Sequence, residues 1–192
     1  MAMNPGLILI VVSGFWVASE IVIAIRRRSS ITGASSRDRL SIHAMWVAFA
    51  GGPFAGGMLT AVRAARMPPP IRPYAFWGGL ALIFVGIAAR WTAIGTLKKY
   101  FTVDVAIAPD HKVIQHGLYR FVRHPSYSGS LLSSTGLGLA FGNWLSLAAV
   151  VLFALAGVAY RVSVEERALI DALGDEYRAY AARTKRLIPG IY

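Results

Sequence analysis

From residue 5 to residue 25 the chain carries a single ionisable side chain, Glu20, before Arg26-Arg27-Arg28 closes the run. A helix needs about 20 predominantly apolar residues to cross hydrocarbon. The helices of soluble domains normally interrupt such a length with a polar face. The run therefore reads as a membrane span. Residues 41–62 and 74 to about 97 repeat the pattern, with Gly51-Gly52-Pro53 and Gly56-Gly57 inside the second run and Arg90 inside the third. Two shorter arms, 126–141 and 144–160, flank Gly142-Asn143. At about 17 residues each, they make either two short spans or a tight helical hairpin. With only 15% charged residues and a mean hydropathy of +0.54, the composition lies far from that of soluble domains. The expected fold is an all-α integral membrane protein with five transmembrane helices, the last two short.

The connections carry their own signals. Residues 26–40 read as a polar loop and 63–73 as a proline-stiffened turn. Small residues in the second span allow close helix approach within the monomer, and Pro53 suggests a kink. Glu20 reads as an interfacial acid paired with a neighbouring cation. Arg90 either snorkels toward Lys98-Lys99 or faces a polar cavity. Residues 98–115 leave the helical pattern: 101–107 alternate and Pro109-Asp110 supplies a turn, which predicts a short extended segment at the membrane surface. Residues 161–186 are charged, with Leu169, Leu173, Tyr177 and Tyr180 along one stripe and Gly174 as an interruption. That pattern predicts a C-terminal helix packed on the bundle or the bilayer. The organisation is one integrated membrane domain, with a three-span bundle in 1–97 and a functional half in 98–192.

A net charge of +11 raises the question of nucleic acid. The basic residues sit between apolar runs rather than along one soluble face, so topology and anionic headgroups explain them and no nucleic-acid partner is expected. Five crossings place sixteen Lys and Arg on one side and three on the other. The positive-inside rule then puts the N-terminus outside and the C-terminus, with residues 98–125, in the cytoplasm. The basic cluster follows the first apolar run, the reverse of a cleaved signal peptide. An Ala/Arg-rich composition suggests a bacterial inner membrane. There is no cysteine, which excludes disulfides, thiolate metal ligands and Cys nucleophiles.

Two clusters carry the chemistry. The first holds His111, Tyr119, Arg120, Arg123, His124 and Tyr127; the second is Arg161-Val-Ser-Val-Glu165-Glu166-Arg167. Arg161 and Glu165 are four apart and share one helical face, as an ordinary i,i+4 pair does. At the mouth of a cavity the same pair can bind a zwitterionic ligand together with an anionic one. His111, His116 and His124 lack carboxylates at convincing ligand spacing, so no metal is expected.

Residues 98–192 resemble the isoprenylcysteine carboxyl methyltransferase family of integral membrane methyltransferases, whose relatives include phospholipid methyltransferases. The resemblance is carried by His111-Lys-Val-Ile114, His116-Gly-Leu-Tyr119, Arg123-His-Pro-Ser-Tyr-Ser-Gly129, the Arg161/Glu165-Glu166 segment, and Leu173-Gly-Asp-Glu-Tyr177 followed by Tyr180. The Arg-His-Pro-x-Tyr-x-Gly string with a Glu-Glu tail some forty residues later is the specific part. The resemblance implies S-adenosylmethionine bound on the cytoplasmic side. His111, Lys112, Val113 and Ile114 would line its adenosine end. Tyr119 and the His124, Pro125, Ser126 and Tyr127 turn would wrap the methionine portion, and Glu165 would meet the ammonium or sulfonium end. Asp104 would make a further cofactor contact, and Arg161 would orient the acceptor's carboxylate. No Gly-rich dinucleotide fingerprint is present.

The residue chemistry agrees with that allocation. Methyl transfer from a sulfonium is an in-line displacement that needs alignment more than proton transfer. A carboxylate acceptor is already ionised near neutral pH, whereas an amine needs a proton acceptor such as Glu165, Glu166 or His124. The expected activity is methylation of a lipophilic acid entering from the bilayer, such as an isoprenylcysteine carboxylate. Membrane lipids surround the chain, and no obligate protein partner is expected. The alternatives are phospholipid N-methylation, a nicotinamide-dependent membrane reductase of similar architecture, and a non-catalytic partner protein.

Overall fold

The computed structural model describes residues 4–26, 36–102 and 112–191. Among these, five α-helices follow in order: α1 (Pro5–Arg26), α2 (Ser36–Leu59), α3 (Arg72–Leu97), α4 (Pro125–Ala140) and α5 (Trp144–Arg183). Short 3-10 turns lie at Arg63–Ala65, Lys98–Tyr100 and Gly117–Arg120, and the only β pairing among the described residues is two isolated bridges. Four helices are long and apolar enough to cross a membrane: α1, α2 from Asp38, α3 with its following turn, and α5. Their outward residues, among them Ile10, Phe54 and Leu152, are exposed as lipid-facing side chains would be. α4 has 16 residues. At 1.5 Å per residue it is about 24 Å long, short of the roughly 30 Å of hydrocarbon.

Three expectations change. α2 begins at Ser36, inside the stretch read as a loop. The fifth span and the C-terminal helix are one element, the 40-residue α5, interrupted only at Gly174, whose φ of 55° and ψ of −127° lie in territory open to glycine. The unbroken part, from Trp144 to Leu173, runs about 45 Å, more than the hydrocarbon thickness, so the charged residues beyond Arg161 extend past the apolar layer. Glu20 pairs not with the adjacent Arg26 but with Arg90 of α3, Oε1 to Nε at 2.7 Å and Oε2 to Nη2 at 2.8 Å. The extended segment expected before residue 116 lies largely in 103–111, outside the described residues. Of its remainder, 112–115 have no regular structure.

α4 and α5 form a hairpin that one side chain fastens to α2. The buried Asn143 caps α5, its Oδ1 accepting from Leu145 N at 2.9 Å and Ser146 N at 3.2 Å. Its Nδ2 donates to the carbonyls of Leu59 and Val62 at the end of α2. One amide thus satisfies orphan groups at two helix ends. α2 runs through Pro53 without a break, and its Gly52 and Gly56 face α5 at Val150 and Phe153, which places the glycine spacing inside the monomer.

The tightest seam joins α3 and α4, where Gly79 and Gly86 meet Gly136 and Gly129. A methyl group on Gly86 would sit 2.7 Å from the Ser133 backbone nitrogen and still nearer the Gly129 carbonyl. Backbone cannot move aside as a side chain end can. Gly86→Ala is therefore expected to lower unfolding stability in detergent by about 1–3 kcal/mol. Gly78→Ala on the same helix meets open space and should stay within about 0.5 kcal/mol of wild type. Denaturant titration of both variants checks the contrast.

Candidate active site

The N-terminus of α4 is held from the C-terminal side of the chain. Gly117, with φ of 63°, opens the 3-10 turn that leads to Arg123. Val122 then pairs with Lys185 in a parallel bridge. Arg123 N donates to Lys185 O at 2.7 Å and His124 N to Arg186 O at 3.0 Å. Ser128 Oγ adds a bond to Leu187 O at 2.6 Å. His124 is the residue before α4 and Pro125 the first inside it, where a missing N–H costs nothing.

Glu166 of α5 is the charge that this strap encloses. Its Oε1 accepts from Arg123 Nε at 2.8 Å and lies 3.2 Å from His124 Nε2, while Oε2 accepts from Arg186 Nε at 2.9 Å. Arg123 also donates to the carbonyls of Ala181 and Thr184. Tyr180 donates its hydroxyl to the Tyr119 carbonyl at 2.7 Å, which ties the tail to the 3-10 turn. Glu166 stands in the Glu-Glu string noted in the sequence, but its ion pairs carry no local signal, because the partners are twenty and more than forty residues away. Arg120 lies over the Phe121 ring, with its guanidinium carbon 4.3 Å from the centroid.

Glu165, one residue earlier, faces a different space. It lines a cavity together with Lys112, Val113, Ile114, Tyr119 and His124, all of them expected site residues. Tyr127 donates its hydroxyl to Glu165 Oε2 at 2.8 Å and accepts from Arg161 Nε at 3.2 Å. Arg161 is only 1% exposed, and its Nη1 donates to Asp38 Oδ1 at 2.5 Å and Ser41 Oγ at 2.7 Å. The expected clamp residue is therefore a buried cation already paired with an acid from α2. Pro125 and Ser126 are buried in the first turn of α4, where the Ser126 carbonyl accepts from Arg90. Asp104 and His111 lie outside the described residues.

The lining sets one carboxylate among apolar side chains, the chemistry that a ligand with a cationic end and an apolar body requires. Val113, Ile114, Leu169 and Leu173 are apolar, Glu165 supplies a carboxylate, and the buried Tyr177 hydroxyl at the cavity has no hydrogen-bond partner among the described residues. Burial, reinforced by the Glu165 carboxylate, pushes the Tyr119 hydroxyl well above its ordinary value, so it stays protonated. No group of three potential metal-ligating side chains occurs among the described residues. A second cavity of about 320 Å³ lies between α1, α2, α3 and α4, walled by Trp16, Ile21, Met45, Phe49 and Leu137, with the Glu20–Arg90 pair also in its lining.

Residues 79–171 match the profile of the isoprenylcysteine carboxyl methyltransferase (ICMT) family. A probable protein-S-isoprenylcysteine O-methyltransferase of Oryza sativa subsp. indica is 33% identical over 138 residues, covering 70% of this chain and 72% of that protein. The chain belongs to the isoprenylcysteine carboxyl methyltransferase family. As a member of that family it is a methyltransferase and an integral membrane protein. The solved structure of the eukaryotic intramembrane Ras methyltransferase ICMT matches the fold with a TM-score of 0.63 at 24% identity, covering all of this chain and 70% of that one. Methanethiol S-methyltransferase 1 of Bradyrhizobium diazoefficiens is 42% identical over 73 residues, covering 38% of this chain and 24% of that protein. Membership of the ICMT family overturns the reductase and non-catalytic alternatives. The family match also begins earlier than the resemblance at residue 98 and takes in Arg90.

Proposed function

We propose that the chain transfers a methyl group from S-adenosylmethionine to the carboxylate of an isoprenylcysteine-like or other isoprenoid or lipid acid, giving a methyl ester. The observation that carries this reading is the hydrogen-bonded run Arg161–Tyr127–Glu165, which joins a buried cation to a carboxylate in the cavity wall. Glu165 would hold the positive end of the cofactor, with Tyr119 along its methionine portion and Val113 and Ile114 along its adenosine end. S-adenosylmethionine bound there supplies an electrophilic methyl on a sulfonium. A carboxylate oxygen would accept that methyl as an ester, with the donor's sulfur leaving as a neutral thioether. No proton moves, so the site needs no general base. Arg161 would orient the acceptor carboxylate, which has to approach a guanidinium that Asp38, Ser41 and Tyr127 already hold. The apolar cavity between α1 and α4 offers room for the acceptor's lipid chain.

The count of basic residues supports a cytoplasmic site with the N-terminus outside, and the Ala/Arg-rich composition supports a bacterial inner membrane. Membranes containing the protein, incubated with S-adenosylmethionine labelled in its methyl group, are expected to place label in the lipid fraction. Mild base should release that label as methanol. Label that survives base would mean an amine or sulfur acceptor and would overturn the ester.

A further inference from the structure

The site as derived comes from α4, α5 and the segments around them, yet its buried cation is anchored from α2. Asp38 is 2% exposed and Ser41 is fully buried. Asp38 Oδ1 and Ser41 Oγ both accept from Arg161 Nη1, and the Ser41 hydroxyl in turn donates to the Asp38 carbonyl at 2.8 Å. Asp38 stands in the first turn of α2, where the helix dipole favours an acid. Nothing in the α2–α5 contact requires the charges, because small residues already seat the helices: a methyl group on Gly157 would lie 2.7 Å from Ala48 Cβ. A buried ion pair adds little net stability over an apolar pair of similar size. Position explains it better. Held at Nη1, the guanidinium presents Nε to the Tyr127 hydroxyl, whose proton is then directed at Glu165.

We infer that Asp38, assisted by Ser41, is a positioning residue of the methyl-transfer site. It fixes Arg161 so that the cation stands in one place while acceptors come and go. The inference rests on the proposed methyl transfer, in which Arg161 orients the acceptor. It makes the first turns of α2 part of the catalytic apparatus, although the family match begins at residue 79. Asp38→Asn removes the charge with little change of shape, and Asp38→Glu keeps the charge on a longer arm.

Wild type, Asp38→Asn, Asp38→Glu and Ser41→Ala are compared in lipid nanodiscs. Cofactor Kd is measured by calorimetry. Methyl transfer is measured to N-acetyl-S-farnesylcysteine and to a total lipid extract. Asp38→Asn is expected to lower kcat/KM for the acceptor at least tenfold with cofactor Kd within about threefold of wild type, because the Glu165 carboxylate and the apolar cavity wall are unchanged. Asp38→Glu should recover most of that loss, and Ser41→Ala should cost about threefold. An Asp38→Asn variant that turns over like wild type would overturn the inference. So would parallel loss of cofactor binding and turnover in both Asp38 variants, which would make the residue merely structural. A wild type that binds no S-adenosylmethionine, or methylates neither acceptor, would overturn the proposed function and this inference with it.

Discussion

Glu166→Ala is expected to destabilise the protein by about 3 kcal/mol, a cost of the kind that follows when one partner of a buried ion pair is removed. The carboxylate is 9% exposed and gathers Arg123, His124 and Arg186. Without it, the largely buried Arg123 loses its only carboxylate among the described residues, and His124 keeps only Glu165, 3.8 Å from its Nδ1. Arg123 retains the carbonyls of Ala181 and Thr184, which keeps the cost toward the lower end of the range. The damage should be local first. The strap formed by residues 184–187 would loosen, and limited proteolysis should cut the variant near its C-terminus before the rest unfolds. Denaturant titration in detergent gives the size of the effect. A variant as stable and as protease-resistant as wild type would show that the strap is held by its backbone bonds alone.

The neighbouring residue should behave in the opposite way. Glu165 is 28% exposed at its side chain, accepts one hydrogen bond from Tyr127 and lies 3.8 Å from His124 Nδ1. Glu165→Ala therefore leaves the fold within about 1 kcal/mol of wild type, the usual worth of one such bond. Its effect belongs to binding. A carboxylate against a cationic ligand in a partly dry cavity is worth about 1.4–3 kcal/mol, so the cofactor's Kd should rise about 10- to 100-fold. Adjacent acids thus divide the work, Glu166 holding the wall and Glu165 facing the ligand.

The spans were legible because hydrocarbon thickness sets a length that a sequence either meets or does not, and residues 5–25 meet it without reference to any partner. The cavity wall was foreshadowed through the family resemblance, whose short strings carry Lys112, Val113, Ile114, Tyr119, His124 and Glu165; the residue types alone would not have singled out Val113 or Ile114. What escaped were pairings between distant residues. Ser36-Arg37-Asp38-Arg39 looks like loop because it is polar, yet Asp38 turns inward to a cation 123 positions away. The onset of charge at Arg161 looked like the end of a span. The helix continues because Arg161 and Glu166 find partners in the interior, so neither must reach water. Glu20 looked toward its neighbours and instead crosses 70 positions to Arg90, since two charges inside hydrocarbon are less costly together than apart.

Calorimetric titration of the purified protein in detergent with S-adenosylmethionine tests the central claim most directly. Wild type is expected to bind one molecule per chain, and Glu165→Ala to bind it at least tenfold more weakly while unfolding at the wild-type denaturant midpoint. Absence of binding to wild type, or equal affinity in the two proteins, would contradict the assignment of this cavity to the methyl donor.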